Sequence, residues 1–146
     1  MTDIAIVSTA RTPIAKAYRG AFNATPGATL AAHAVRHAVE RAALDKAEID
    51  DVILGCAMPR GTTGYNIARQ AALRAGLPVS VSGVTIDRQC ASGLQAIALG
   101  AYRVGHEGAG AVVAGGVESV SLVQTPESGE TKKDPWLTQH CPGIWM

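Results

Sequence analysis

Three cysteines are the only thiols in the 146-residue chain, and Cys90 stands in the most chemically suggestive setting. It lies in Asp87-Arg88-Gln89-Cys90-Ala91-Ser92-Gly93, between a strand-like run and a helix-like run. Upstream, Val84 and Ile86 alternate with Thr85 and Asp87, the period of a pleated strand. Downstream, Leu94, Ile97, Ala98, Ala101 and Val104 recur at helical spacing, and Gly105 is placed to cap the C-terminus. Cys90 is therefore expected just before or within a first helical turn. Unpaired N–H groups and the positive end of the helix dipole gather there, favouring a thiolate. The same N–H groups can hold an oxyanion formed when a thiolate attacks a carbonyl. Small neighbours, Ala91, Ser92 and Gly93, leave room for a substrate. The structural alternative is a small, inert core thiol.

The other candidates are weaker. Cys56 ends an apolar run and reads as a packed core thiol, and Cys141 lies in the polar C-terminal stretch. The three cysteines are odd in number and widely spaced, so neither a disulfide framework nor a zinc site is indicated. His33 and His37 stand four apart on one helix face, a ligand spacing, but without an evident third ligand they read as a solvated face and not as a metal site.

The elements that must position Cys90 follow from periodicity and punctuation. Residues 4–7 form a short apolar run, read as a first strand ended by Arg11-Thr12-Pro13. Residues 14–27 lack a period and read as a loop. Thr29 is the expected N-cap of a helix carrying Leu30, Ala34, Val35, Ala38, Val39, Ala42 and Ala43 at helical spacing. Residues 50–57 read as a second strand, whose continuous run Val52-Ile53-Leu54 suits a parallel strand covered on both faces. Asn66 is placed to cap a helix ending at Ala75, before Gly76-Leu77-Pro78. Residues 79–87 make a third strand, in which Gly83 marks a bulge or a close backbone approach. The helix after Cys90 carries one charged residue, Arg103, between Leu94 and Val104, and so is expected to be buried. A fourth strand covers residues 111–114, and Gly115-Gly116 reads as a tight turn rather than a dinucleotide fingerprint. The resulting β-α-β-α-β-α-β order predicts an α/β fold with a mostly parallel, layered sheet.

Composition narrows the function classes. The chain is 47% hydrophobic and 17% charged, with net charge +1 and no basic run, which argues against nucleic acid or an anionic membrane surface as partner. The N-terminus lacks the basic region and apolar core of a signal peptide, and no apolar run is long enough to span a bilayer. Unpaired cysteines suit a reducing compartment, so a cytoplasmic location is expected.

Four segments, taken in order, resemble the thiolases, the acyltransferases that make or cleave 3-ketoacyl-coenzyme A. Asp87-Arg88-Gln89-Cys90-Ala91-Ser92-Gly93-Leu94-Gln95-Ala96 is similar to the family's nucleophile segment. Ser8-Thr9-Ala10-Arg11-Thr12-Pro13 is similar to its opening, and Asn66-Ile67-Ala68-Arg69-Gln70-Ala71-Ala72 to the helix before the nucleophile strand. Ala114-Gly115-Gly116-Val117-Glu118-Ser119 is similar to the glycine turn that closes the family's N-terminal half. The resemblance implies the N-terminal half of a thiolase-like layered fold. A core domain would cover residues 1–120, and residues 121–146 would begin a loop domain that is cut short. The helix after Cys90 would lie between two sheets, the second supplied from elsewhere.

The resemblance also implies that Cys90 carries an acyl group as a thioester, with coenzyme A thioesters as substrates and no metal or redox cofactor. It places no coenzyme A contacts on this chain. It implies a homodimer or homotetramer formed through the strand before Cys90. The histidine of a Gly-His-Pro segment, a second cysteine followed by glycines and a water-holding asparagine belong to the family's second half. None has a counterpart among these residues, and Cys141 precedes Pro142, not a glycine. The chain alone is therefore expected to be inactive. Asp87 also departs from the family's usual asparagine. Two other functions fit less of the pattern: a truncated, non-catalytic association module, and a ketoacyl synthase, which shares the fold and the cysteine.

Overall fold

A computed structural model describes residues 3–126 and 133–145 of the chain. The sheet has three parallel strands in the order β2-β1-β3, with β1 (Asp51–Gly55) between β2 (Ser82–Ile86) and β3 (Val112–Gly116). All five residues of β1 are buried, as the unbroken apolar run predicts. Val52 pairs with Gly83 on one side and with Val113 on the other. The helices α1 (Gly27–Ala42) and α2 (Ile67–Arg74) pack against the face carrying Val52 and Leu54, with Val35, Val39, Ala68, Ala71 and Ala72 in the shared core. The third helix, α3 (Ser92–Glu107), lies on the opposite face.

Local chemistry sets these boundaries. Asn66 caps α2, its Oδ1 accepting the Arg69 N–H at 3.1 Å, while its Nδ2 donates to Gly83 O on the neighbouring strand. Gly83 proves to be a close approach and not a bulge, since a Cβ there would stand 2.7 Å from Arg69 N. The stop after α2 is Gly76, at φ +80°.

Several expected features are displaced. Residues 4–7 form no strand and join none of the described sheet. Ile6 and Val7 are exposed, and Ile4 rests near Gly105 on α3. The apolar run carries a strand-like composition but pairs with neither edge of the described sheet. The helix α1 starts at Gly27 behind Pro26, not at Thr29. Proline presets φ there, and Gly27 N–H donates to Thr62 Oγ1 at 3.1 Å, so a backbone junction replaces a side-chain cap. Gly108, at φ +78°, caps α3 in place of Gly105, which lies inside the helix beside the Ile4 side chain. Gly115 and Gly116 end β3 instead of turning.

The helix α3 is buried on one face only, through Ser92, Ala96 and Gly100, while Leu94, Ile97 and Tyr102 are exposed on the other. Its apolar sequence matches a helix covered twice, and the sheet described here covers it once.

Beyond β3, α4 (Val120–Val123) leads towards residues 127–132, which lie outside the described residues. After those residues the chain forms α5 (Pro135–His140) and a 3-10 turn (Pro142–Trp145). Asp134 caps α5, accepting Leu137 N–H at 2.8 Å, and Pro135 supplies its preset first position. Trp136 is exposed and stacks on His140.

Candidate active site

Because both pairings are parallel, the C-terminal ends of all three strands open on one edge of the sheet, where α/β folds place their sites. Cys90 stands on that edge. The chain leaves β2 at Ile86 and reverses through residues 87–91 into α3. Cys90 is exposed and two residues ahead of Ser92, the first helical residue, so it precedes the first turn and does not lie within it. The turn is closed by backbone bonds from Ala91 N–H to Arg88 O at 3.1 Å and from Ser92 N–H to Gln89 O at 3.0 Å. Gln89 adopts a left-handed φ of 49°, which a non-glycine residue holds only when its neighbours enforce it. The cap residue, Ala91, offers no side-chain acceptor to the first-turn N–H groups of α3.

Glycines seat that helix end on the sheet. A Cβ on Gly55 would run into the backbone carbonyl of Ser92, and one on Gly116 would stand 3.3 Å from Gly93 Cα. The ends of β1 and β3 therefore meet the first turn of α3 backbone to backbone. Any larger residue at Gly55 would push the turn bearing Cys90 away from the strand ends. Further along, Gly100 faces Ala114, where a Cβ would find 3.1 Å.

A second cluster adjoins this edge. Cys56, directly after β1, is buried as a core thiol, with its N–H donating to Ile86 O at 2.9 Å. The Glu118 carboxylate accepts the N–H groups of Ala57 and Met58 at 3.0 and 3.1 Å, and the Cys56 Sγ lies 3.9 Å from both of its oxygens. Thr63 fastens the far side of the loop through Oγ1 to Met58 O at 2.7 Å. Burial pushes the Cys56 thiol above the ordinary thiol range. The Glu118 and Asp87 carboxylates add to that push, and hydrogen bonding by Thr63 and the Met58 backbone opposes it.

Gly55 and Glu118 are the positioning residues that sequence reasoning passed over. Gly55 ends the most buried strand, and Glu118 is the one charge directly after the glycine-rich end of β3. Cys141 is exposed just beyond α5. His33 and His37 meet ring to ring at 4.4 Å on α1, with Glu40 3.2 Å from His37 Nδ1. Among the described residues no group of three or more His, Cys, Asp or Glu side chains could hold a metal ion, and no helix is long and apolar enough to cross a membrane.

Fold and site together define a parallel α/β layer that presents an exposed thiol on the strand-to-helix turn at its C-terminal edge. The chain belongs to the thiolase family: the family described as "Thiolase, N-terminal domain" matches residues 4–139. It is 38% identical over 147 residues to a 3-ketoacyl-CoA thiolase of Bacillus subtilis, covering all of this chain and 37% of that one. It is 41% identical to an acetyl-CoA acetyltransferase of Pseudomonas aeruginosa, covering 84% of this chain and 30% of the other. The crystal structure of the Bacillus anthracis acetyl-CoA acetyltransferase superposes with a TM-score of 0.77 at 40% identity, covering 88% of this chain and 31% of that structure. The chain thus spans about a third of the length of the relatives it matches.

Proposed function

We propose that this chain supplies the acyl-accepting cysteine of an acyl-coenzyme A acyltransferase, and that Cys90 is that residue. The observation that carries the reading is the placement of Cys90, exposed on a turn whose helix is seated on the strand ends by Gly55 and Gly116. The family relationship supports the substrate class. In the first half-reaction the Cys90 thiolate attacks the thioester carbonyl of an acyl-coenzyme A. The negative charge moves to oxygen, where first-turn N–H groups can receive it, and the C–S bond to coenzyme A breaks. Coenzyme A leaves as its thiolate and takes up a proton, and Cys90 holds the acyl group. In the synthetic second half-reaction the carbanion of acetyl-coenzyme A, formed by loss of its α-proton, attacks the acyl carbon and the Cys90 thiolate leaves. In the degradative direction Cys90 attacks the 3-keto carbonyl instead, the C2–C3 bond breaks, and acetyl-coenzyme A departs as a carbanion that takes up a proton. The thiol of coenzyme A then takes the acyl group from Cys90. The cycle balances without a metal or a redox cofactor.

The same reading places the parent enzyme in fatty-acid or related acyl-chain metabolism in the cytoplasm, as a homo-oligomer associating through residues 79–87. β2, within that segment, is an edge strand of the described sheet, which supports association there. Proton transfer to and from substrate needs an acid–base group, which the family resemblance assigns to a Gly-His-Pro segment that these residues do not contain. Lack of a general acid–base group costs about 10²–10⁴ in rate, so the 146 residues alone should turn over very slowly. The test is to assay thiolysis and condensation by the purified chain, alone and mixed with a separately expressed C-terminal half of a thiolase. Turnover should appear only in the mixture and vanish with Cys90→Ser. Robust turnover by the chain alone would refute the division of roles.

A further inference from the structure

Two side chains close the turn that carries Cys90, one at each end. Asp87 Oδ1 accepts the Gln89 N–H at 2.7 Å, so the residue that leaves β2 bonds across to the residue preceding the thiol. Ser92, the first residue of α3 and only 4% exposed, accepts the Arg88 N–H at 2.8 Å through Oγ and donates the hydroxyl proton to Gln89 O. Both bonds converge on Gln89, the residue held at φ 49°, immediately before Cys90. Without them, Gln89 has little reason to keep a conformation that non-glycine side chains avoid. Arg88 is tied separately, its guanidinium bonding Gln95 Oε1 at 2.6 Å one turn into α3.

We propose that Asp87 and Ser92 are positioning residues for Cys90, locking Gln89 in the left-handed conformation that sets the thiol at the mouth of α3. The proposal rests on the reading of Cys90 as acyl acceptor. Asp87 acts as a hydrogen-bond acceptor in this role, and its charge is incidental to it. Asparagine offers an oxygen in the same place and should serve equally, whereas alanine should not. Position matters little for a small reagent that only needs an exposed thiol. It matters greatly for acyl transfer, where the attacking sulfur and the oxyanion donors must align on one carbonyl.

The experiment uses the full chain and two probes, p-nitrophenyl acetate for acyl transfer and iodoacetamide for exposure alone. Peptide mass mapping gives each rate at Cys90 relative to Cys141, an exposed internal reference. In the unmodified chain, acetylation should favour Cys90. Ser92→Ala and Asp87→Ala should lower that preference by about tenfold or more, the scale on which misplacing a reacting atom acts. Asp87→Asn should retain the preference, and the iodoacetamide ratio should stay nearly constant throughout. Exchange of the Arg88 and Gln89 amide protons should accelerate in the corresponding variants without a general loss of protection. If the buried Ser92 variant fails to fold, the exposed Asp87 pair decides alone. No preference for Cys90 in the unmodified chain overturns the acyl-acceptor reading and this proposal with it. A clear preference that Asp87→Ala leaves unchanged overturns the positioning role and leaves the acyl-acceptor reading standing.

Discussion

At the scale of single residues, the chain separates its thiols by environment. Cys90 stands exposed on its turn, while Cys56 is buried beside the Glu118 carboxylate. That contrast carries a pH signature. In the unfolded chain the Cys56 thiol ionises in the ordinary range, about pH 8.5. In the fold burial, with help from Glu118 and Asp87, pushes its ionisation higher. Between those two points the unfolded state binds fewer protons than the folded one, so stability falls as pH rises. Urea unfolding followed from pH 7.5 upward should show a decline that begins near the ordinary thiol range, and Cys56→Ser should remove that part of the slope. A slope identical in the variant would assign the decline to other groups. Cys56 as a packed thiol was legible from its place after Val-Ile-Leu-Gly. Its carboxylate neighbour was not, because Glu118 is 62 residues away and only the pairing of β1 with β3 brings them together.

Among the elements, the strand-to-helix turn was legible because both of its flanks carry strong local periods. So were β1, with its unbroken apolar run, and α2, with its Asn66 cap and Gly76 stop. The features that moved depend on contacts that sequence period does not encode. Gly105 and Gly108 both suit the end of a helical pattern, and only the backbone distinguishes them, Gly105 being helical and Gly108 holding the left-handed cap at φ +78°. Residues 4–7 have the composition of a strand but pair with neither edge of the described sheet, and composition alone does not encode which edge a run will meet. Gly55 belongs to the same class of hidden constraint. Gly55→Ala should place a methyl group in the Ser92 backbone and destabilise the fold by about 1–3 kcal/mol, the usual range for overpacking. The denaturation midpoint should drop, and acetylation of Cys90 should slow more than iodoacetamide labelling of Cys141. An unchanged midpoint would mean that α3 is not seated on β1 as described.

Over the whole molecule, one face of the sheet is covered by α1 and α2, while α3 on the other face leaves Leu94 73% exposed, with Tyr102 and Ile97 also open. An apolar helix face of this kind favours association. The chain should therefore self-associate as its concentration rises in sedimentation velocity runs, and Leu94→Lys should shift it towards monomer without lowering the unfolding midpoint. A monomer at every concentration would show that this face is tolerated in water. The family's fold was legible from four short segments in register. The half-covered state of α3 was not, because helical period reports which residues are apolar and not how many layers are present to cover them. The central claim is that Cys90 becomes acylated, and the most direct measurement is a trapped acyl-enzyme. The chain is incubated with acetyl-coenzyme A, quenched in acid and mapped by peptide mass. The account predicts an acetyl group on the peptide containing Cys90, absent in Cys90→Ser. An acetyl group on Cys56 or Cys141, with Cys90 unmodified, would contradict it.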